Sequence, residues 1–346
     1  LAEMMNYPGV IGADPQVIEK IVAAQAHHKK IDGHAPDLQD NDLNAYIAAG
    51  VYSDHECHDA ADAVAKLERG QFIMIREGTA AHNLEALLPL LTPKYADRCM
   101  FCCDDKHPSD LLEKGHIDYN VKEAIRRGVD PILAVKVACH HAARYFQLNN
   151  RGAIAPGYFA DFVVIDSFQD FNILQVYKKG VEMYDGKEVH EFKAPEIDPY
   201  LAKRAHDTFH VAHLTAEDFS ERRPRGIIGM VPGELVTTDQ GYSDHIDPEW
   251  DILKIAVIER HKNTRHIGIG YLQGYGLKRG AVATSVSHDS HNIIVVGANE
   301  EDMAAAANRI TENRGGIVVM ENGEIRGEVV LSIAGLMSDD TLENVN

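Results

Sequence analysis

The chain has 346 residues, enough for two domains with sizeable cores, and its 45% hydrophobic and 25% charged content is that of an ordinary globular protein. Lys and Arg number 34 against 53 Asp and Glu, leaving a formal charge of −19. That sign argues against a general binder of nucleic acid or of anionic membranes, both of which need a basic footprint, and no apolar run approaches the ~18 residues of a membrane span.

In chain order, DPQVIEKIVAAQAHHKK has helical spacing, and IDGHAP follows it. DLQDNDLNAYIAAG reads as a second helix closed by Gly50, and VYSDHE as a short apolar run. CHDAADAVAKLERG is a helix with a glycine stop, QFIMIREG a buried strand, TAAHNLEALLPLLT a helix, and DRCMFCCDD a strand. DYNVKEAIRRG and DPILAVKVACHHAARYF are helices. Strand, loop and helix repeat every ~20–30 residues, the pattern of a parallel sheet with crossover helices.

Residues 151–190 are turn-rich and β-like, and 195–224 are polar without a clear period. From 225 onward, short β-rich runs with Gly and Asn turns are interrupted by one helix, NEEDMAAAANRITEN. GIGYLQGYG lacks the GxGxxG spacing and opens no helix, so it reads as a strand rather than a phosphate cradle. The expected organisation is 1–150 as barrel, 151–195 as a β-rich segment, and 196–346 as an α+β domain.

The five cysteines, Cys57, Cys99, Cys102, Cys103 and Cys139, are odd in number and not spaced as a disulfide framework; reduced thiols in a cytoplasmic protein are expected. Cys99 and Cys102 form a single CxxC within an apolar run, which reads as buried strand thiols rather than as a metal clip. His27, His28, His140 and His141 sit near helix C-termini, where a partial positive charge meets the helix dipole, and read as structural.

Polar residues recur at the ends of successive strands: Glu3, His34, His55 with Glu56, Arg76 with Glu77, and Asp104 with Asp105. In an open sheet they would spread along an edge; in a (β/α)8 barrel they converge on one mouth, so the barrel is favoured. Glu3, His34, His55 and Asp104 then offer the carboxylates and imidazoles that a water-activating metal needs. Side chains alternate along a strand, so Asp104 and Asp105 do not both face the mouth. Asp104 is expected on the metal, and Asp105 behind it or facing substrate. In the second domain His288, Asp289 and His291 cluster before the apolar run IIVVGA. They read either as a polar loop or as a loop that reaches substrate or a further metal.

GHAP, SDHE, IREG, DDKHPSDLLEKGHIDY and GAIAPGYFADFVVID, in this order, resemble bacterial adenine deaminases of the amidohydrolase superfamily. SVSHDSHNIIVVG and IAGLMSDD resemble that family's C-terminal domain, so the resemblance covers nearly the whole chain. It implies an α/β fold: an incomplete (β/α)8 TIM-type barrel of the metal-dependent hydrolases, followed by a small β segment and an α+β domain. It implies a binuclear Mn2+ or Fe2+ centre, with Zn2+ also compatible, and hydrolysis of adenine to hypoxanthine and ammonia in purine salvage. Carried over, Glu3 resembles the bridging carboxylate, His34 and His55 the ligands of strands five and six, and Asp104 the ligand and proton shuttle. Glu56 and Glu77 are the further acid–base candidates, and Arg76, Asp105, His288, Asp289 and His291 the candidate substrate contacts.

The superfamily's HxH pair of strand one does not occur in the chain; strands one to three are expected upstream of Leu1. Adenine and a second copy of the chain are the expected partners, without nucleic acid or membrane. The alternatives are a hydrolase of another cyclic amide or amidine, disfavoured because Glu3 stands where such enzymes usually carry a carbamylated lysine, or an inactive fragment or subunit lacking the HxH ligands.

Overall fold

A computed structural model describes residues 1–191, 193, 195–220, 222–232, 237–288 and 290–346. The chain divides into two compact units, Leu1–Ala194 and Pro195–Asn346.

The first unit is built on four parallel strands in the order β1 (Asp32–Gly33), β2 (Ser53–Asp54), β3 (Phe72–Arg76) and β4 (Cys99–Cys102). Met4 adds a parallel bridge to Gly33, so the arc has five stations. The register runs Gly33↔Asp54, Asp54↔Ile73 and Arg76↔Cys102, which aligns the C-terminal ends at one rim. Gly33 is required by this pairing, because a Cβ there would lie 2.6 Å from the Ser53 carbonyl oxygen and 3.0 Å from the Tyr46 hydroxyl.

Helices cross between the strands, as parallel pairing demands. Pro15–Ala26 opens at Asp14, whose carboxylate accepts the Gln16 N–H at 2.8 Å, with proline at the first helical position. Asp40–Ala48 packs Leu43 and Tyr46 inward, and Ala60–Glu68 is capped by Asp59, which accepts the Asp62 N–H at 2.9 Å. Ile73, Ile75, Cys99 and Phe101 of β3 and β4 form a core with Ala63, Leu67, Leu84, Leu87 and Val121. A second core joins Met4, Ile21, Ile31, Leu43, Tyr46 and Val51.

Two helices differ from the sequence reading. The segment around Leu84 is helical only over Leu84–Leu87 before tightening into a 3-10 turn, Leu88–Leu90, because Pro89 has no N–H to continue the ladder. The helix from Pro131 widens into a π-helical stretch, Lys136–His141, before ending at Tyr145. His140 and His141 therefore sit inside a helix rather than at its end, and His141 Nδ1 bonds the Cys99 carbonyl at 3.1 Å. His27 does cap the C-terminus of Pro15–Ala26.

The unit closes with a three-stranded antiparallel sheet, β5 (Phe162–Ile165), β6 (Ile173–Lys178) and β7 (Val181–Tyr184). All five cysteines are free, and among the described residues no helix is long and apolar enough to cross a membrane.

The second unit is an eight-stranded sheet. Its strands are β8 (Arg225–Met230), β9 (Thr237–Ser243), β10 (Ile252–Ile258), β11 (Ile267–Gln273), β12 (Ala281–Thr284), β13 (Ile293–Gly297), β14 (Gly316–Glu321) and β15 (Glu324–Val330), arranged β15-β14-β12-β13-β10-β11-β8-β9. The helix Glu300–Glu312 covers one face, burying Met303, Ala306, Ala307 and Ile310 against Ala256, Ile258, Ala283, Val295 and Val318. GIGYLQ is strand β11.

Candidate metal centre

The parallel register carries the sequence-predicted residues to one rim. Glu3 precedes the Met4 bridge, His34 follows β1, His55 follows β2, Arg76 ends β3, and Asp104 stands two residues beyond β4. Two groups form with ligand atoms within 4.8 Å of one another: Glu3, His34 and His55; and His55, Glu56 and Asp104. His55 belongs to both. Its Nε2 lies 3.0 Å from Glu3 Oε2 and 3.8 Å from Glu56 Oε2, and His34 Nδ1 lies 3.6 Å from the same Glu56 oxygen. The two imidazoles meet edge to face, 5.6 Å between centroids.

Several neighbours hold these side chains in place. His55 Nδ1 donates to Asp32 Oδ2 at 2.8 Å, and Ser53 Oγ donates to the other Asp32 oxygen at 2.6 Å. Tyr46, fully buried, donates its hydroxyl to the Met4 carbonyl at 2.5 Å and accepts the His34 N–H at 3.0 Å, tying the Glu3 station to the His34 turn. Arg76 grips both Glu56 oxygens, Oε1 at 3.0 Å, and donates to Asp104 Oδ2 at 2.8 Å. Its guanidinium is fixed from behind by Asn83 Oδ1, at 3.1 Å from Nε and 3.0 Å from Nη2. Asp104 adopts a left-handed backbone (φ 53°), which a short polar side chain tolerates, and its side chain is 37% exposed.

The electrostatics fit a cation. Glu56 and Asp104 share the Arg76 guanidinium, while Glu3 and Asp32 flank the His55 ring. Burial opposes charge on His55, yet its bonds to Asp32 and Glu3 prevail and lift its pKa to about 10. Arg76 is likewise opposed by burial but held charged by Glu56 and Asp104. His34 Nδ1 supplies the test of fit. It is a buried nitrogen with no hydrogen-bond partner among the described residues, and it faces Glu56 and Glu3 oxygens at 3.6 and 3.9 Å. Such an atom is costly unless something coordinates it, and imidazole with carboxylates is a suitable donor set for Zn, Fe or Mn.

Other predicted residues fall elsewhere. Both Asp105 oxygens accept backbone N–H groups, Thr79 at 3.1 Å and Ala80 at 2.8 Å, so this carboxylate pins the loop after β3. Glu77 accepts from His82 Nδ1 at 2.9 Å and from the Leu84 N–H at 3.3 Å. Neither belongs to the two ligand groups. His288 and His291 lie in the second unit with rings 6.0 Å apart; Asp289 lies outside the described residues. Three positioning residues escaped the sequence reading. Asp32 has a visible signal, since it stands two residues before His34 on the same strand face. Tyr46 and Asn83 have none, because their partners are distant or in a loop.

Residues 2–183 match the profile described as the amidohydrolase family. The chain belongs to the amidohydrolase family. The four-stranded arc is thus part of a (β/α)8 barrel, left incomplete here, and the family is one of metal-dependent hydrolases. Residues 233–346 match the adenine deaminase C-terminal domain. The chain is 46% identical over 356 residues to the adenine deaminase of Desulfatibacillum aliphaticivorans, covering 100% of the chain and 62% of that protein. It is 42% identical to adenine deaminase 1 of Rhizobium etli, again over all of the chain and 61% of that protein. The adenine deaminase of Kosmotoga olearia is 41% identical, with 98% of the chain and 60% of the relative aligned. The chain therefore spans about 60% of the length of these curated relatives.

Proposed function

We propose that this chain carries the metal ligands and proton-transfer groups of a hydrolase that deaminates adenine to hypoxanthine and ammonia. The observation that carries this reading is the meeting of Glu3, His34, His55, Glu56 and Asp104 at one rim. The names of its relatives and the two matched domains supply the substrate class.

Glu3, His34, His55 and Asp104 would hold Mn2+ or Fe2+, with Zn2+ equally suited to the donors. When bound, divalent metal supplies Lewis acidity that lowers the pKa of water. Asp104, anchored by Arg76 and open to solvent, accepts the proton of the attacking water as its oxygen bonds to the purine carbon bearing the amino group. That proton passes to the departing amine, which leaves as ammonia as the C–N bond breaks. The second proton leaves the new hydroxyl and ends on the adjacent ring nitrogen. Glu56 is the carboxylate we assign to carry it; its position 3.8 Å from His55 Nε2, held by Arg76, supports that role. The five free thiols support a reducing, cytoplasmic setting.

The test is expression of the gene's complete open reading frame in Mn2+ medium and assay of ammonia released from adenine. Release that is lost in His55→Ala supports the reading. Turnover of dihydrouracil or dihydroorotate without adenine would overturn it.

A further inference from the structure

Lys66 lies on the helix Ala60–Glu68, and its side chain is fully buried. Its ammonium lies 2.9 Å from Asp62 Oδ2, 3.4 Å from Asp54 Oδ2 and 3.4 Å from Cys57 Sγ. A cation removed from water in this way is tolerated only where its charge is answered. Asp54, also fully buried, gives that answer and does something more. Its Oδ2 accepts the N–H of Ala35 at 3.0 Å and its Oδ1 accepts the N–H of Glu56 at 2.8 Å. Ala35 directly follows His34, and Glu56 directly follows His55. One carboxylate therefore ties together two turns, after β1 and after β2, that carry candidate ligands from separate strands.

We propose that Asp54, with Lys66 as its buried countercharge, is a positioning pair that sets the spacing of His34 against His55 and Glu56 for metal binding. It acts through the two backbone ties and touches neither substrate nor metal. The inference rests on the reading of the rim as a metal centre.

The chemistry of the tie makes it testable. Asparagine at position 54 can accept only through its single oxygen. Its amide group would meet a backbone N–H or the Lys66 ammonium, donor against donor, so one of the two turns is released. Asp62 shares Lys66 but holds neither turn, and so serves as the control.

The experiment is Zn2+ titration of the purified chain and its variants against a chromophoric chelator, with thermal melting alongside. Partners behind metal ligands are typically worth about 10- to 100-fold in affinity. Asp54→Asn is expected to lose affinity in that range, while Asp62→Asn melts earlier but keeps the wild-type affinity. Lys66→Arg, which retains the charge, is expected to bind Zn2+ more tightly than Lys66→Met. Wild-type affinity in Asp54→Asn, or an equal loss in Asp62→Asn, would overturn the proposal while leaving the metal centre standing. A wild-type chain that takes up no Zn2+ overturns both. Should Asp54→Asn fail to fold, amide hydrogen exchange in the wild-type chain decides: the Ala35 and Glu56 amides, though in turns, are expected to exchange as slowly as strand amides. Fast exchange at either would overturn the tie.

Discussion

His55 donates its Nδ1 hydrogen to Asp32 at 2.8 Å and thereby points Nε2 at Glu3, 3.0 Å away. The bond to Asp32 fixes the ring plane, as a carboxylate behind a metal-binding imidazole does. Ser53 and, through it, Tyr145 extend this chain inward, with 2.6 Å at each step. The strand-end residue is thus oriented by groups on the same short strands that deliver it.

Arg76 holds Glu56 and Asp104 with one guanidinium, and Asn83 fixes its plane. Lysine offers a point charge rather than a fork. On the proposed function, Arg76→Met and Arg76→Lys are both expected to lower the release of ammonia from adenine by about 10- to 100-fold. Steady-state kinetics and elemental analysis of the metal-loaded enzyme read the loss, and bound metal is expected to fall with it, because Arg76 holds Glu56 and Asp104 of the second ligand group. An active Arg76→Lys would show that charge alone is enough.

Tyr46 joins the Met4 carbonyl to the His34 N–H. Tyr46→Phe leaves both backbone groups without that partner, so a loss of about 1–3 kcal/mol is expected. Urea unfolding followed by circular dichroism measures it, and unchanged stability would mean that the hydroxyl ties nothing.

Gly78 leaves no room for a side chain. A Cβ there would collide with the Asp105 carboxylate and come within 2.8 Å of the Cys103 carbonyl oxygen. Gly78→Ala must push Asp105 off the Thr79 and Ala80 amides, at a cost of about 1–3 kcal/mol. The same unfolding measurement on Gly268→Ala, at a glycine with open space around it and without a left-handed backbone, shows what the substitution costs without crowding.

The strand-end positions of Glu3, His34, His55, Arg76 and Asp104 are legible in the sequence because each follows a short apolar run, and parallel pairing sends such ends to one rim. Asp105 shows the limit of that logic. Adjacent acids after a strand look alike in sequence, and only the position of the 78–80 loop decides which of them turns to backbone amides. Lys66 shows another limit, since a lysine at helical spacing reads as solvated until Asp54 and Asp62 are seen beside it. The early end of the helix at Leu87 was signalled by Pro89, whereas the π-helical stretch at Lys136–His141 carries no such mark.

In the second unit Glu328 accepts from Arg309 Nε and Nη2, both at 2.8 Å, and from Asn313 at 2.8 Å. These bonds hold its carboxyl down at about 2 against an ordinary 4.5. A carboxyl depressed on folding contributes its stability above pH 4.5 and loses it as pH falls toward 2. Glu328→Gln should therefore melt earlier than wild type at pH 6–8, by the ~1 kcal/mol or less of a half-exposed pair. The two curves should converge as pH falls through about 2, and a difference independent of pH would assign the effect to packing instead.

Glu3, His34, His55 and Asp104, with Glu56 beside them, are the groups proposed to hold metal. Equilibrium dialysis of the purified chain against Zn2+ or Mn2+, with elemental analysis of the protein, tests this assignment most directly. The chain is expected to retain bound metal, and His55→Ala, which removes the residue common to both ligand groups, to retain none. A chain that binds no metal, or a His55→Ala variant that binds as much as wild type, would contradict it.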